Sequence, residues 1–160
     1  MSSPPEQFAA RFEAEKRASM AQLLMRCARL VNERGLALVR EHLGVPLRAS
    51  HTALFPHIDL EGTRLTDLAR RVGITKQAAG QLVGELEQMG VVERSPDPED
   101  GRAKRIRFIR EGPRSVLQGL AVLREVEAQL EAQLGKSRMR SLHGSLLELL
   151  AVLENPDHAP

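Results

Sequence analysis

Between Leu65 and Ile109 two helical patterns meet at a glycine and run into a pair of β-forming segments joined by a charged, proline-bearing loop. Few folds accommodate that order. Thr66 has the chemistry of an N-cap, and after it Leu68, Ala69 and Val72 recur on one helical face while Asp67, Arg70 and Arg71 fall on the other. Gly73 tolerates positive φ, which a sharp turn between two crossed helices requires. Thr75 restarts the chain as the next N-cap. From Lys76 to Met89 the apolar residues Ala78, Ala79, Leu82, Val83, Leu86 and Met89 lie three or four apart, and Gly90 stands where a C′ glycine ends a helix. This spacing predicts that Leu82, Val83, Leu86 and Met89 are buried.

The face left over carries Thr75, Lys76, Gln77 and Gln81, whose donors and acceptors suit phosphates and base edges better than a core. Gly80 and Gly84 each cost such a helix about 1 kcal/mol relative to alanine. Close approach to a DNA backbone or to a neighbouring helix would account for them. Val91 to Arg94 and Lys104 to Ile109 read as strands, and Ser95-Pro96-Asp97-Pro98-Glu99-Asp100-Gly101-Arg102 between them is a turn-rich loop that cannot be helical. In the second strand Lys104, Arg105, Arg107 and Arg110 are interleaved with Ile106, Phe108 and Ile109, so one face can pack while the other meets a polyanion. Residues 91–110 hold six Lys/Arg against four Asp/Glu, so positive charge there must act by placement rather than by amount. Helix, turn, recognition helix and hairpin together spell a winged helix-turn-helix.

The segment from Leu65 to Gly112 resembles the DNA-binding lobe of the MarR family of bacterial transcriptional regulators. Leu65-Thr66-Asp67-Leu68-Ala69 resembles the family's first motif helix, Gly73-Ile74-Thr75-Lys76-Gln77 its turn and recognition-helix start, and Glu93-Arg94-x-x-Asp97-Pro98-x-Asp100-x-Arg102-x-Lys104 its wing. The resemblance implies that a wing-tip arginine, here Arg102, enters the minor groove and that a nearby aspartate, here Asp100, orients it. A guanidinium held by a carboxylate is preorganised for a narrow, negatively charged groove. Arg94 and Lys104, flanking the wing, are read as phosphate-positioning residues. Gly101 stands where many relatives carry arginine.

The flanks fit a helical dimerisation region. Residues from Phe8 to Leu43 contain no proline and carry Met20, Leu24, Cys27, Val31 and Leu38 near helical spacing, predicting one long helix closed by Gly44-Val45-Pro46, with Gly35 its weak point. Ser50 to Ile58 predicts a short second helix in which Pro56 removes one backbone donor and can bend or end it. Beyond the wing, Pro113 suits a first turn, after which Leu117, Leu120, Leu123, Val126, Leu130 and Leu134 form an apolar stripe. Gly135 interrupts it. A last helix carries Met139, Leu142, Leu146, Leu149, Leu150 and Leu153 before Asn155-Pro156. These helices hold more apolar face than one small winged domain needs, so they are read as knitting a homodimer, with an intrachain bundle as the alternative. The expected organisation is mainly α with a small β-hairpin wing: an N-terminal dimerisation helix in residues 1–48, the winged lobe in 49–112 and C-terminal dimerisation helices in 113–160.

Global properties agree. Residues 1–110 hold 18 Lys/Arg and 14 Asp/Glu, a net of +4, while 111–160 hold five and seven, a net of −2, so the motif half is the nucleic-acid half. No Trp or Tyr and only four Phe leave a core built from Leu, Val and Ala. No apolar run reaches a membrane span, the N-terminus lacks the charged and apolar regions of a signal peptide, and a single cysteine excludes an intrachain disulfide. A cytoplasmic protein is expected. No Gly-rich phosphate loop, paired-cysteine zinc pattern or catalytic triad is present, so neither an enzyme nor a cofactor is expected.

By resemblance, control is repression of a pseudo-palindromic operator in double-stranded DNA, relieved when a small aromatic or phenolic anion binds between the dimer region and the DNA lobe. His51, Phe55 and His57 are the pocket-lining candidates. Two other readings compete. Cys27 could sense oxidants, although it falls on the apolar stripe of its helix and the chain has no Tyr of the kind that holds the thiolate in such sensors. A winged protein-interaction module that does not bind DNA is the other. His51 and His57, six apart, do not share a helical face as zinc ligands do, so no metal is expected, and His143 and His158 have no partner in the sequence.

Overall fold

The computed structural model of the chain describes residues 4–100, 103–112 and 114–155. It falls into two units, one ending at Gly119 and the other beginning at Leu120.

The first unit opens with two helices where the sequence predicts one from Phe8 to Leu43: α1 (Pro4–Ala18) and α2 (Met20–Leu43). Ser19 is the reason. Its backbone leaves the helical region at φ −76°, ψ 114°, and its Oγ accepts the Gln22 N–H at 3.4 Å, so a local cap competes with continuation. Gly35, the expected weak point, stays helical and buried. Gly44, at φ +64°, ends α2 with its N–H on the Arg40 carbonyl. The expected helix from Ser50 to Ile58 is instead α3 (Ala49–Thr52) followed by a 3-10 turn (Phe55–His57), because Pro56 has no N–H to continue an α-helical ladder.

A short strand that sequence periodicity does not reveal follows, β1 (Thr63–Arg64). Its presence moves the start of α4 (Leu65–Val72): Arg64 rather than Thr66 takes the extended N-cap conformation, and no side chain caps the helix. Gly73 closes α4 at φ +77°, and the Ile74 N–H returns to the Ala69 carbonyl in a Schellman arrangement. Thr75 caps α5 (Lys76–Gln88) as the sequence predicts, its Oγ1 accepting the Ala78 N–H at 3.1 Å. Gly90, at φ +71°, ends α5 in the same manner, with Val91 N–H on Leu86 O. Strands β2 (Val92–Pro96) and β3 (Lys104–Phe108) make the hairpin, β2 extending two residues further than the spacing implies. The three strands form an antiparallel sheet in the order β1-β3-β2.

The core of this unit gathers Val45, Leu54, Ile58, Leu68, Ala69, Ala79, Val83, Leu86, Val92 and Ile106, all buried. Leu82 and Met89, expected there, are only half-buried, and the small Ala79 takes the deep position where α4 and α5 approach. Asp59 ties the layers together: both carboxylate oxygens accept from Arg71 of α4, at 2.9 and 2.8 Å, while Thr63 Oγ1 donates to Asp59 and accepts its N–H. Arg71 is therefore a brace and not a free surface cation.

Helix α6 (Val116–Leu134) opens before Leu120, and the second unit contains its remainder and α7 (Lys136–Glu154), with Gly135 at φ +87° between them. The expected apolar stripe of α6 is divided: Val126 is buried and Leu130 half-buried, and its other leucines are open. Val122 and Val126 are buried, whereas Leu117, Leu120, Leu123 and Leu134 are exposed, and α7 has no buried residue although it carries Leu142, Leu146, Leu147, Leu150 and Leu153. Pro113 and Pro156, expected to mark the bounds of these helices, and His158 lie outside the described residues. None of the described helices is long and apolar enough to cross a membrane.

Candidate nucleic-acid interface

The sequence of α5 places its polar and apolar residues on opposite sides of one helix. Ala79, Val83 and Leu86 are buried, while Thr75, Lys76, Gln77 and Gln81 are exposed. The Thr75 cap leaves the other first-turn N–H groups of the helix without intrahelical partners, a positive end suited to a phosphate. Gln81 reaches along its own helix, its Nε2 donating to Glu85 Oε1 at 3.2 Å. The two glycines of α5 are not forced by neighbours within the chain. A Cβ at Gly84 would meet nothing within 4 Å, and one at Gly80 would make an ordinary contact of 3.7 Å with Leu65. Packing against a neighbouring helix therefore does not explain Gly84.

The hairpin distributes its charge differently from the expected separation into a packing face and a polyanion face. Pairing Arg94↔Ile106 and Pro96↔Lys104 puts Arg94 and Lys104 on the side of Val92, Ile106 and Phe108, while Glu93, Ser95, Arg105 and Arg107 share the other side. Most of these cations are already paired. Arg94 Nε donates to Glu87 Oε2 of α5 at 3.0 Å, Arg107 Nε to Glu93 Oε1 at 2.7 Å, and Arg110 to the Leu60 carbonyl and Glu61. Arg94, expected to position phosphate, thus braces β2 against α5. Lys104 is exposed, and no ion-pair partner is described for it. Asp100 is exposed and its carbonyl accepts the Ala103 N–H at 2.8 Å. Arg102, the expected wing-tip residue, lies outside the described residues, as does Gly101.

The buried carboxylate of the wing is Asp97, which the sequence does not single out among the acids of its loop. Its side chain is 0% exposed. Arg64 Nε donates to Asp97 Oδ2 at 2.6 Å, the Glu99 N–H donates to Oδ1 at 2.9 Å, and Arg105 Nε stands 3.1 Å from Oδ2. That last contact is an ion pair without hydrogen-bond geometry, since Arg105 Nε has no hydrogen-bond partner. The two guanidiniums, Arg64 first, hold the Asp97 carboxyl far below the usual carboxylate range, and Asp97 in turn raises Arg64.

His51, Phe55 and His57 have three different environments. His51 is fully buried with both ring nitrogens engaged: Nδ1 accepts the Arg48 N–H at 3.1 Å and Nε2 lies 2.7 Å from Glu85 Oε2. An accepting Nδ1 makes this the neutral Nε2–H tautomer, donating to a carboxylate on α5. That donation, helped by Gln81 and Arg48, lowers the Glu85 pKa. Arg48 also bonds Glu85 directly. Phe55 packs edge-on against Phe108 with ring centroids 5.3 Å apart, and His57 is half-buried with its carbonyl accepting from Thr63 and Arg71. Cys27, expected on an apolar stripe, is exposed.

The residues the sequence misses, Asp97, Arg64 and Glu85, share a cause. Each is a charged residue in a charged stretch, and the partner that ties it across the fold, Arg64 to Asp97 and His51 to Glu85, lies at least 33 positions away, so no local spacing marks it.

No curated protein matches this sequence. The MarR family model matches residues 44–103. A probable transcriptional regulator from Pseudomonas aeruginosa is 27% identical over 82% of this chain and 96% of its own, with a TM-score of 0.53. A transcriptional regulator from Thermotoga maritima is 24% identical over 88% and 97%, with a TM-score of 0.59. A MarR family protein from Mycobacterium tuberculosis, solved in complex with salicylic acid, is 22% identical over 82% and 96%, with a TM-score of 0.60. The segment that the MarR family model matches, residues 44–103, contains α4, the capped helix α5 and the first wing strand β2, so this part of the chain is similar to that family of transcriptional regulators.

Proposed function

We propose that the protein is a homodimeric repressor that inserts the N-terminal turn of α5 into successive major grooves of a pseudo-palindromic operator and lays each wing along a flanking minor groove. The observation that carries this reading is the division of α5, with Ala79, Val83 and Leu86 buried and Thr75, Lys76, Gln77 and Gln81 exposed at one end. Two-fold symmetry sets the half-sites about 34 Å apart. Lys104 contacts phosphate, and Arg102, oriented by Asp100, is the minor-groove residue by family likeness. Arg94 contributes through its brace to Glu87 rather than as a free cation.

Dimerisation is supported by the apolar surface left open on the helices outside the lobe: Phe8, Phe12 and Met20 at one end, and Leu147, Leu150 and Leu153 on α7, are all at least half exposed. Exposed leucines at that density on a soluble chain mark a contact surface. Release by a small aromatic anion takes its support from the salicylic acid held by the M. tuberculosis relative. Phe55 and His57 are the candidates for direct contact, while His51, with both nitrogens occupied, acts through Glu85 on the recognition helix. Oxidative release through Cys27 has an exposed thiol in its favour but no tyrosine in the chain to hold a thiolate.

Fluorescence anisotropy with duplex from upstream of the protein's own gene, against a scrambled duplex, tests the reading. Specific binding should exceed nonspecific by at least about 10³-fold at physiological salt, with log affinity falling steeply against log salt. Genomic selection that recovers no preferred site, together with weak and equal binding of both duplexes, would leave the protein-interaction module as the better reading.

A further inference from the structure

We infer that Asp97 is the positioning residue that sets the pose of the wing against the helix-turn-helix, so that it governs flanking DNA contacts without touching DNA. The inference rests on the reading that the wing meets the duplex.

The argument begins with register. β1 pairs with β3 through Thr63↔Ile106 and Arg64↔Arg105, and β3 with β2 through Ser95↔Arg105. Arg64 and Arg105 are therefore directly opposed on one face, an arrangement of like charges that disfavours the pairing of two strands. β1 is two residues long, so it has few other interactions to hold it. Asp97, the first residue past the end of β2, sets its fully buried carboxylate between the two arginines, taking Arg64 at 2.6 Å and Arg105 at 3.1 Å on one oxygen. One negative charge thus turns a repulsive pair into a three-residue clamp.

The clamp joins the parts that have to be aligned. Arg64 immediately precedes Leu65, the first residue of α4, so its guanidinium reports the position of the helix-turn-helix. The other Asp97 oxygen accepts the Glu99 N–H, and the Asp97 N–H donates to the Ala103 carbonyl at 3.0 Å, so the same residue closes the base of the wing loop. Contacts from the helix side and the loop side converge on one carboxylate, which stays ionised because Arg64 and Arg105 hold its pKa down. Glu99 is exposed and adds an ion pair to Arg105 alone, its Oε2 3.5 Å from Nη2, so it is Asp97 that joins the two arginines.

Hydroxyl-radical footprinting on a selected operator, with a salt series of affinities and the melting temperature of each variant, tests the inference. Wild-type protein should protect a central region from α5 and flanking minor-groove segments from the wing. Asp97→Asn should lose the flanking protection, bind about tenfold more weakly and show a shallower salt slope, while the central protection survives at saturating protein. Arg64→Gln, which removes one arm of the clamp from a side chain already 38% exposed, should produce the same selective loss and carries the test if Asp97→Asn does not fold. Uniform loss of central and flanking protection from both variants would overturn the inference and reduce Asp97 to a general brace. Unchanged flanks would overturn it too. Absence of flanking protection in the wild type itself would remove the wing reading, and with it this inference, which separates that failure from the other two.

Discussion

The same one-methyl change at two glycines should move stability in opposite directions. At Gly62 the backbone holds φ +90°, and a Cβ would lie 2.9 Å from Arg105 Cβ and 3.2 Å from the Ile106 carbonyl oxygen. Both atoms belong to β3, where neither can swing aside as a side-chain tip can. Gly62→Ala therefore loses about 1–2 kcal/mol for positive φ and roughly 1–3 kcal/mol for overpacking, offset by up to about 1 kcal/mol from a less flexible unfolded chain. The net is a loss of about 2–4 kcal/mol. At Gly84 the backbone is helical and a Cβ meets nothing within 4 Å, so Gly84→Ala gains about 0.5–1 kcal/mol. For a chain of this length 1 kcal/mol corresponds to about 2–4 °C, so melting followed by circular dichroism at one protein concentration should show a drop of roughly 5–15 °C and a rise of about 1–4 °C. A Gly62→Ala protein that melts at or above the wild-type temperature would refute the steric reasoning, and a Gly84→Ala protein that melts lower would refute the helical one. Gly84 also lies on the stripe of Gln77 and Gln81, at intervals of four and three. With no neighbour in the chain to explain it, the glycine is expected to serve close approach of the DNA backbone, and Gly84→Ala should weaken operator binding while it stabilises the fold.

Other outcomes follow from single contacts. His51→Ala removes a fully buried ring, leaves the Arg48 N–H without its acceptor and takes one hydrogen bond from Glu85, so urea denaturation should show a loss of about 2–4 kcal/mol. Asp59, Glu85 and Asp97 all have carboxyl pKa values lowered from their ordinary 3.8, 4.5 and 3.8, by Arg71, by His51 and by Arg64 respectively. Their stabilisation is complete above about pH 5 and disappears as the pH falls through the lowered values, so their contribution to the melting temperature should be level between pH 7 and 5 and fall below about pH 4. Asp97→Asn should flatten part of that acid limb. Leu150→Asp on α7 should shift the protein from dimer to monomer in analytical ultracentrifugation and weaken operator binding by more than tenfold, since two half-sites can no longer be engaged together. Lys104→Ala should reduce the slope of log affinity against log salt by about one, equally on specific and nonspecific duplex.

Local chemistry in the sequence determined the parts of the protein that depend on neighbours within a few residues. The Thr75 cap, the glycine stops at Gly44, Gly73, Gly90 and Gly135, and the pairing of β2 with β3 as a hairpin were legible because propensity, capping and turn chemistry act over one or two helical turns. So was the exposed face of α5, since a helix of known phase with a known apolar side leaves the other side determined. The break at Ser19 was hidden because serine is tolerated in helices as well as at caps, and only the chain's actual path selects the cap.

Tertiary structure decided what depends on distant partners. β1 is two residues long and exists only because β3 offers it a ladder, and its pairing moved the N-cap of α4 from Thr66 to Arg64. The positive charge of the wing was countable in the sequence, yet which cations remain available was not. Among the described residues, Glu87 pairs with Arg94, Glu93 with Arg107, and Asp97 with Arg64 and Arg105, the latter also reached by Glu99, while no ion-pair partner is described for Lys104. Composition gives the number of charges, but electrostatics acts through distance and burial, and those are properties of the folded chain alone.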